Sequence, residues 1–194
     1  MCAQYGINGR VVESDFPIID DRTGWETLVQ WLTGSGEAKI TGVNARNLNP
    51  VIVGGTIQLG WWSLWIGGQL KKGYSTFNAR DDKLTTSTWW REPFAHTRAL
   101  LPATWFIEKG KRFELGHPFA IAAIYNTQRD GLLTYSMVTR DAIGQAKTAN
   151  NRMPLILPES MHETWLDPEQ VGDEGLRDAA VAASEEVSAA VAIV

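Results

Sequence analysis

Cysteine is almost absent from this sequence, which contains a single one, Cys2, in 194 residues. One cysteine excludes an internal disulfide and argues against a zinc site built from thiolates. Long apolar runs are also missing, because no stretch approaches the ~18 residues that a membrane-spanning helix needs. No basic start leads into an apolar stretch, so we expect no signal peptide and a cytoplasmic, nucleoid-associated setting. We expect no metal, no cofactor and no membrane as a partner.

Basic residues are scarce at the carboxyl-terminal end of the chain. Residues 153–194 contain one, Arg177, against nine acidic residues, so this segment carries −8 while residues 1–152 carry +4. The acidic end, and the Ala-rich stretch 168–194 in particular, is typical of a solvated face. The basic part could bind a polyanion. We expect residues 1–194 to form one domain, and the protein to be a monomer.

Tryptophan, by contrast, is abundant, with nine residues in the chain. Six lie between positions 61 and 105, in a stretch that also contains six lysines and arginines. Stacking aromatic rings and cations are the two groups that single-stranded nucleic acid binding requires. Indole rings also dominate the burial of protein cores. We therefore expect most of the six in the core and one or two at the surface.

The order of elements predicts an α+β, β-rich fold, with mostly antiparallel strands in a curved or barrel-like sheet and short flanking helices. Apolar residues at helical spacing predict a helix over residues 25–32, and residues 86–98 and 168–184 predict two more. The other segments are short strand candidates separated by turns. The predicted strands include 99–108, 119–125, 132–139 and a last one over 187–194. Asp130-Gly131 predicts a hairpin.

The position of Cys2 suggests a chemistry of its own. If Met1 is removed, Cys2 carries an α-amine and a thiol on one carbon skeleton. The amine, with a pKa of about 7.7–8.0, is far more often neutral at pH 7 than a lysine. A neutral amine attacks an aldehyde to form an imine, and the thiol then closes a five-membered thiazolidine. The plain alternative is an incidental residue on a frayed terminus.

Several short motifs, in order along the chain, resemble those of the SRAP family, named for SOS-response-associated peptidases. The matching segments are Met1-Cys2-Ala3-Gln4, Trp62-Ser63-Leu64, Asn78-Ala79-Arg80-Asp81-Asp82, Arg98–Glu108, Ser136–Thr139, Asn150-Asn151-Arg152-Met153-Pro154 and Val187-Ser188. Each segment is short, but their common order spans about residues 2–190.

The resemblance implies a sensor of abasic sites in single-stranded DNA. The opened deoxyribose of such a site presents an aldehyde, and the family's terminal cysteine captures it as a thiazolidine crosslink, which shields the strand from cleavage. By that resemblance the catalytic residues are Cys2, Asn78, Glu108 and Asn150.

The same resemblance assigns DNA contacts to three residues, Trp62, Arg80 and Arg152. Arg80 suits a flanking phosphate, and Trp62 would lie behind a base. Glu108 follows an apolar run, so we expect it to be desolvated and to exchange protons with the Cys2 amine and the sugar oxygen.

The sequence also departs from the family pattern. Asn150 occupies the position of the family's catalytic histidine and cannot act as an acid or base near pH 7. Trp105, Ser63 and Ala3 replace glycines, and Gln4 replaces an arginine. These departures predict slow capture and leave two other functions open: a degenerate, non-covalent binder of single-stranded DNA, and a peptidase or amidase with Cys2 as its nucleophile.

Overall fold

The computed structural model describes residues 2–40 and 48–194, and its centre is a closed five-stranded barrel. Within these ranges the strands are β1 (Gln4–Gly6), β2 (Glu37–Lys39), β3 (Leu48–Val53), β4 (Thr56–Trp62), β5 (Asn78–Arg80), β6 (Arg98–Glu108), β7 (Lys111–Thr127), β8 (Leu133–Asp141), β9 (Arg152–Pro154), β10 (Ile156–Leu157) and β11 (Ala192–Ile193). The helices are α1 (Arg22–Gly34), α2 (Arg91–His96), α3 (His162–Leu166), α4 (Glu174–Ala183) and α5 (Glu185–Ala189). The predicted β-rich, barrel-like α+β fold is confirmed.

The barrel runs in the order β7-β8-β4-β3-β6 and is closed by the antiparallel pairing of β6 with β7. Strand β8 organises one side of it, because two strands share a single edge of β8. The first part of β8 pairs in parallel with β4, and its last part pairs in parallel with β5, with Asn78 opposite Met137. Outside the barrel, β1 pairs with β6 and with β2.

The long strand β6 has apolar side chains on both faces, because both faces are covered. Leu100 belongs to a core cluster that also includes Leu28 and Trp165 of the helices, whereas its neighbours Ala99 and Leu101 belong to the opposite cluster. A strand buried on both sides is a continuous apolar run rather than an alternating one. This explains why 99–108 could be predicted as a strand from the sequence.

The first predicted helix is present as α1. It is capped by the Asp21 carboxylate, which accepts hydrogen bonds from the backbone N–H groups of Thr23 and Gly24 at 3.0 and 2.8 Å. Such a cap satisfies backbone donors that a helix start leaves without partners. No helix in the described part of the chain is long and apolar enough to cross a membrane.

Two predicted elements differ from the structure. The predicted last strand over 187–194 is wrong for Val187 and Ser188, which lie in helix α5. This helix is held against β8 by Arg140, which donates to Ser184 just before it and pairs with Glu185 in its first turn. The strand predicted over 119–125 begins earlier, at Lys111, because the preceding residues pair with β6 on one side and β11 on the other.

Candidate functional site at the amino terminus

Cys2 lies just before β1, which aligns Gln4 with Ile107 near the end of β6. The side chain is buried, with 1% of its surface exposed. Its Sγ–H donates to the Gln4 carbonyl at 3.4 Å. The Asn78 Nδ2 group donates to the Cys2 carbonyl at 2.7 Å. Because β5 fixes Asn78 and β1 fixes the residues after Cys2, two separate strands determine the position of Cys2.

Glu108 is the last residue of β6, immediately before the tight turn at Lys109-Gly110, where both residues have positive φ. Its side chain is 3% exposed. Asn150, which lies just before β9 in the chain, contacts this carboxylate, and its Nδ2 group donates to Glu108 Oε1 at 2.9 Å. The other end of the Asn150 amide is fixed as well, since its Oδ1 accepts the Asn151 N–H at 2.8 Å. Asn150 therefore positions the carboxylate but carries no titratable proton.

The Cys2 thiol is strongly biased towards its protonated form. Burial raises the pKa of Cys2 to about 12, and the nearby Glu108 carboxylate adds to this increase because two negative charges would repel each other. At neutral pH the sulfur is therefore a thiol and not a thiolate. Such a group is a poor first nucleophile and a suitable second one, after an amine has reacted.

The structure thus brings together the four residues assigned as catalytic. Asn78 touches Cys2, Asn150 touches Glu108, and Glu108 is close enough to influence the ionisation of Cys2. In the part of the chain that the structure describes, Asn78 Oδ1 has no hydrogen-bond partner although it is buried. A buried amide oxygen in that state has its acceptor capacity in reserve.

The two arginines assigned to DNA differ sharply in environment. Arg80 has a side chain that is 46% exposed, and its guanidinium is paired with Asp82 at 2.9 Å through two nitrogens. Arg152 is 6% exposed and is enclosed by Asp81 and Asp141. The buried charge of Arg152 is compensated within the protein, which leaves little of its guanidinium surface for a phosphate. The predicted direct contact therefore fits Arg80 better than Arg152.

Trp62 is a core residue in this structure, with 1% of its surface exposed. Its Nε1–H donates to the Phe77 carbonyl at 2.7 Å. Its ring lies edge-on to Tyr5, with 4.9 Å between centroids, and is stacked parallel to Tyr135 at 6.3 Å. A base could stack on Trp62 only if these neighbours moved. The other buried tryptophan of the 61–105 stretch is Trp105, and the remaining four are half-buried.

A pair of buried tyrosines next to this site was not predicted. The hydroxyl groups of Tyr5 and Tyr135 are 2.6 Å apart and hydrogen bonded. Burial raises the pKa of both phenols well above the ordinary range, so both stay neutral. The sequence placed each tyrosine in an extended segment, but it contained no signal that the two strands meet. Both tyrosines belong to the same core cluster as Cys2.

No group of three or more His, Cys, Asp or Glu side chains within residues 2–40 and 48–194 is arranged to hold a metal ion. His96 and His117 are exposed, and the buried His162 bonds to the Leu157 carbonyl at 3.1 Å, away from Cys2. Burial lowers the pKa of His162. The chemistry available at the site is therefore that of a thiol, a carboxylate and two amides.

The structure is thus a β-barrel that carries Cys2 just before β1, close to the buried Glu108. The chain belongs to the SOS response associated peptidase (SRAP) family, whose model matches residues 38–193. That match includes Asn78, Glu108 and Asn150, and it begins after Cys2.

Relatives with assigned names match part of the chain. The chain is 28% identical over 122 residues to the abasic site processing protein YoaM of Bacillus subtilis, and 29% identical over 122 residues to the abasic site processing protein YobE of the same species. These matches cover 55% of this chain. They cover 54% of YoaM and 56% of YobE, so the chain spans about half the length of these relatives.

Solved structures support the same fold. A Bacteroides thetaiotaomicron protein superposes with a TM-score of 0.73 at 19% identity, covering 93% of this chain and 86% of that one. A phage-related protein of Bordetella bronchiseptica gives a TM-score of 0.65 at 16% identity, covering 100% of this chain and 94% of that one. At this level of identity the likeness concerns the fold alone.

Proposed function

We propose that this protein processes abasic sites in single-stranded DNA by capturing the opened sugar covalently through Cys2. The observation that carries the proposal is the meeting of Cys2, Asn78, Glu108 and Asn150 at the end of β6. Membership of the family and the names of the Bacillus relatives, abasic site processing proteins, support an abasic site as the substrate.

The reaction begins once Met1 is removed and the nitrogen of Cys2 is a free amine. The neutral amine attacks C1′ of the open-chain deoxyribose, and the aldehyde oxygen leaves as water when the imine forms. The Cys2 sulfur then bonds to the same carbon, and its proton passes to the nitrogen, which completes the thiazolidine. A thiol that is held neutral until the imine exists suits this order of events.

Glu108 would move the protons of imine formation. Its carboxylate can take a proton from the Cys2 ammonium to start the reaction and return one to the departing oxygen. Asn150 holds the carboxylate through one hydrogen bond of 2.9 Å and cannot add a second proton shuttle. Asn78 fixes the Cys2 carbonyl, and its Oδ1 can accept from the amine or a sugar hydroxyl.

The DNA contact proposed from the structure runs through Arg80. Arg80 is exposed and follows Asn78 by two residues on β5, so its guanidinium can exchange Asp82 for a phosphate next to the captured sugar. Arg152 acts indirectly, by holding Asp81 and Asp141 together behind Arg80. We propose a single strand as the substrate because an unpaired sugar must reach a buried thiol.

The proposal is tested with an oligonucleotide carrying one abasic site. The native protein should form an adduct that survives a denaturing gel, and Cys2→Ala should form none while keeping its circular dichroism spectrum. Blocking the aldehyde with methoxyamine beforehand is the matched control and should abolish the adduct. An adduct of equal yield in Cys2→Ala would overturn the covalent proposal.

Intact mass measured on the same sample reports whether Met1 has been removed. Binding of the native, trimmed protein to the oligonucleotide without any adduct would instead support the non-covalent function. Peptide hydrolysis by the native protein that is lost in Cys2→Ala would support the peptidase or amidase function.

A further inference from the structure

The segment that leads into β5 exposes one large aromatic ring. Tyr74 is 64% exposed, and its ring contacts the ring of Trp89 edge to face, with 5.0 Å between centroids. The backbone of Tyr74 closes a turn, since its N–H donates to the Lys71 carbonyl at 3.3 Å. A tyrosine held in this way presents a rigid ring to solvent at little entropic cost on binding.

Exposed cations lie near Tyr74 and Trp89 in the sequence. Lys72 lies two residues before Tyr74, and Lys83 and Arg91 lie on either side of Trp89 in the chain, and all three are exposed. Over the residues that the structure describes, none of the three forms a salt bridge, in contrast to Arg80, which is paired with Asp82. Residues 69–91 carry a net charge of +3, in a chain whose net charge is −4.

The ring is also close to the candidate site. Tyr74 precedes Asn78 by four residues, so an extended chain separates their Cα atoms by no more than about 14 Å. Asn78 binds the carbonyl of Cys2. A DNA strand whose abasic sugar reaches Cys2 therefore has neighbouring bases within reach of Tyr74.

We propose that Tyr74, supported by Trp89, is a stacking platform for an unpaired base that flanks the abasic site, with Lys72, Lys83 and Arg91 facing the phosphates. This inference rests on the proposed function, because it takes the strand at Cys2 as its origin. The ligand is single-stranded DNA, since bases in a duplex have no free face for a lone exposed ring. Base stacking on an aromatic side chain tolerates every base, so the platform holds the strand without reading its sequence.

The test uses a 15-nucleotide strand with a central tetrahydrofuran, an abasic analogue that has no aldehyde and cannot be crosslinked. 2-Aminopurine is placed in turn at each position on both sides. The native protein should quench its fluorescence at one position near the analogue. Tyr74→Phe should keep the quenching, and Tyr74→Ala should remove it and weaken binding about tenfold, within the range known for lost base stacking.

The controls separate this platform from the capture chemistry. Val171→Ala removes a side chain that is 53% exposed elsewhere and should leave binding unchanged. Lys72→Glu should weaken binding and flatten its salt dependence, because fewer counterions are released. Equal affinity and equal quenching for Tyr74→Ala and the native protein would overturn the platform. If the native protein forms no crosslink with a true abasic strand, while Tyr74→Ala still loses quenching and affinity on the analogue, the capture chemistry alone would be overturned.

Discussion

Two buried polar regions of this barrel are built in opposite ways. At the start of β6, Arg98 is 4% exposed and donates to five backbone carbonyls, those of Phe94, Ala95, Trp165, Asp167 and Gln170. At the other end of the same strand, Asn78 and Asn150 each give one hydrogen bond to the site, and an acceptor is left in reserve on Asn78. Saturated hydrogen bonding fixes a structure, whereas groups with spare capacity can serve a reaction.

Removing the Arg98 guanidinium, whose hydrogen bonds are all made within the protein, is the strongest test of the difference between the two regions. Arg98→Met removes a buried cation that donates to five backbone carbonyls, of which only that of Ala95 has a second donor among the described residues, in Gly172 N–H, and such losses cost on the order of 3–5 kcal/mol. We expect the free energy of unfolding to fall by that amount in urea titrations, a large part of what a typical domain has. Arg129→Met, at an exposed arginine, is the matched control and should change little. A small effect at Arg98 would show that its bonds are replaced by water.

The opposite behaviour is expected at the reactive end. Glu108→Gln keeps an oxygen that can accept from Asn150 but cannot carry a proton between the amine and the sugar. We expect the crosslinking rate to fall by about 10²-fold or more while stability changes little. The measurement is a time course on one abasic oligonucleotide together with a urea titration. An unchanged rate would remove Glu108 from the reaction.

Asn150→His should change the rate in the other direction. Asn150 orients Glu108, and a histidine at that position could also transfer a proton near neutrality. We expect crosslinking to become about tenfold faster or more, with a new dependence on pH near the ordinary histidine pKa of about 6.5. A rate no higher than that of the native chain would mean that another residue already moves this proton, or that the chain does not catalyse the capture.

The smallest expected effect is on stability at high pH. Burial raises the pKa of Cys2 to about 12, so the folded state keeps its proton where the unfolded thiol loses it. The stabilisation is complete below the unfolded pKa of about 8.5 and is lost as the pH rises towards the folded value. Between pH 8 and about 9 the native protein should lose roughly 0.7 kcal/mol more than Cys2→Ala. Parallel curves for the two proteins would place the thiol in water.

The candidate site could be assembled from ordered motifs that resemble those of the family, and the roles of its residues stay predictions. Glu108 ends a strand that the sequence predicts, whereas β5, the strand that carries Asn78, was not predicted. The environments of Arg152 and Trp62 could not be predicted in this way. Arg152 is buried only because Asp81 and Asp141 arrive from separate segments, and Trp62 because Tyr5 and Tyr135 close over it from two other strands. Val187 was misassigned because β-branched residues favour strands, while the contacts of Arg140 hold this segment as a helix.

The pairing of β1 with β6 also determines when the amino terminus of the nascent chain can fold. The first residues have no strand partner in β6 until residues 98–108 have been synthesised. The hydrogen bond from Asn150 to Glu108 forms later still, because Asn150 is synthesised after β6. At a synthesis rate of about 5–20 residues per second, the terminus stays uncovered for several seconds or more. An aminopeptidase that removes Met1 during synthesis therefore acts on a terminus that β6 has not yet covered. The amine that the proposed capture needs would then be made before the strand that shelters the Cys2 thiol.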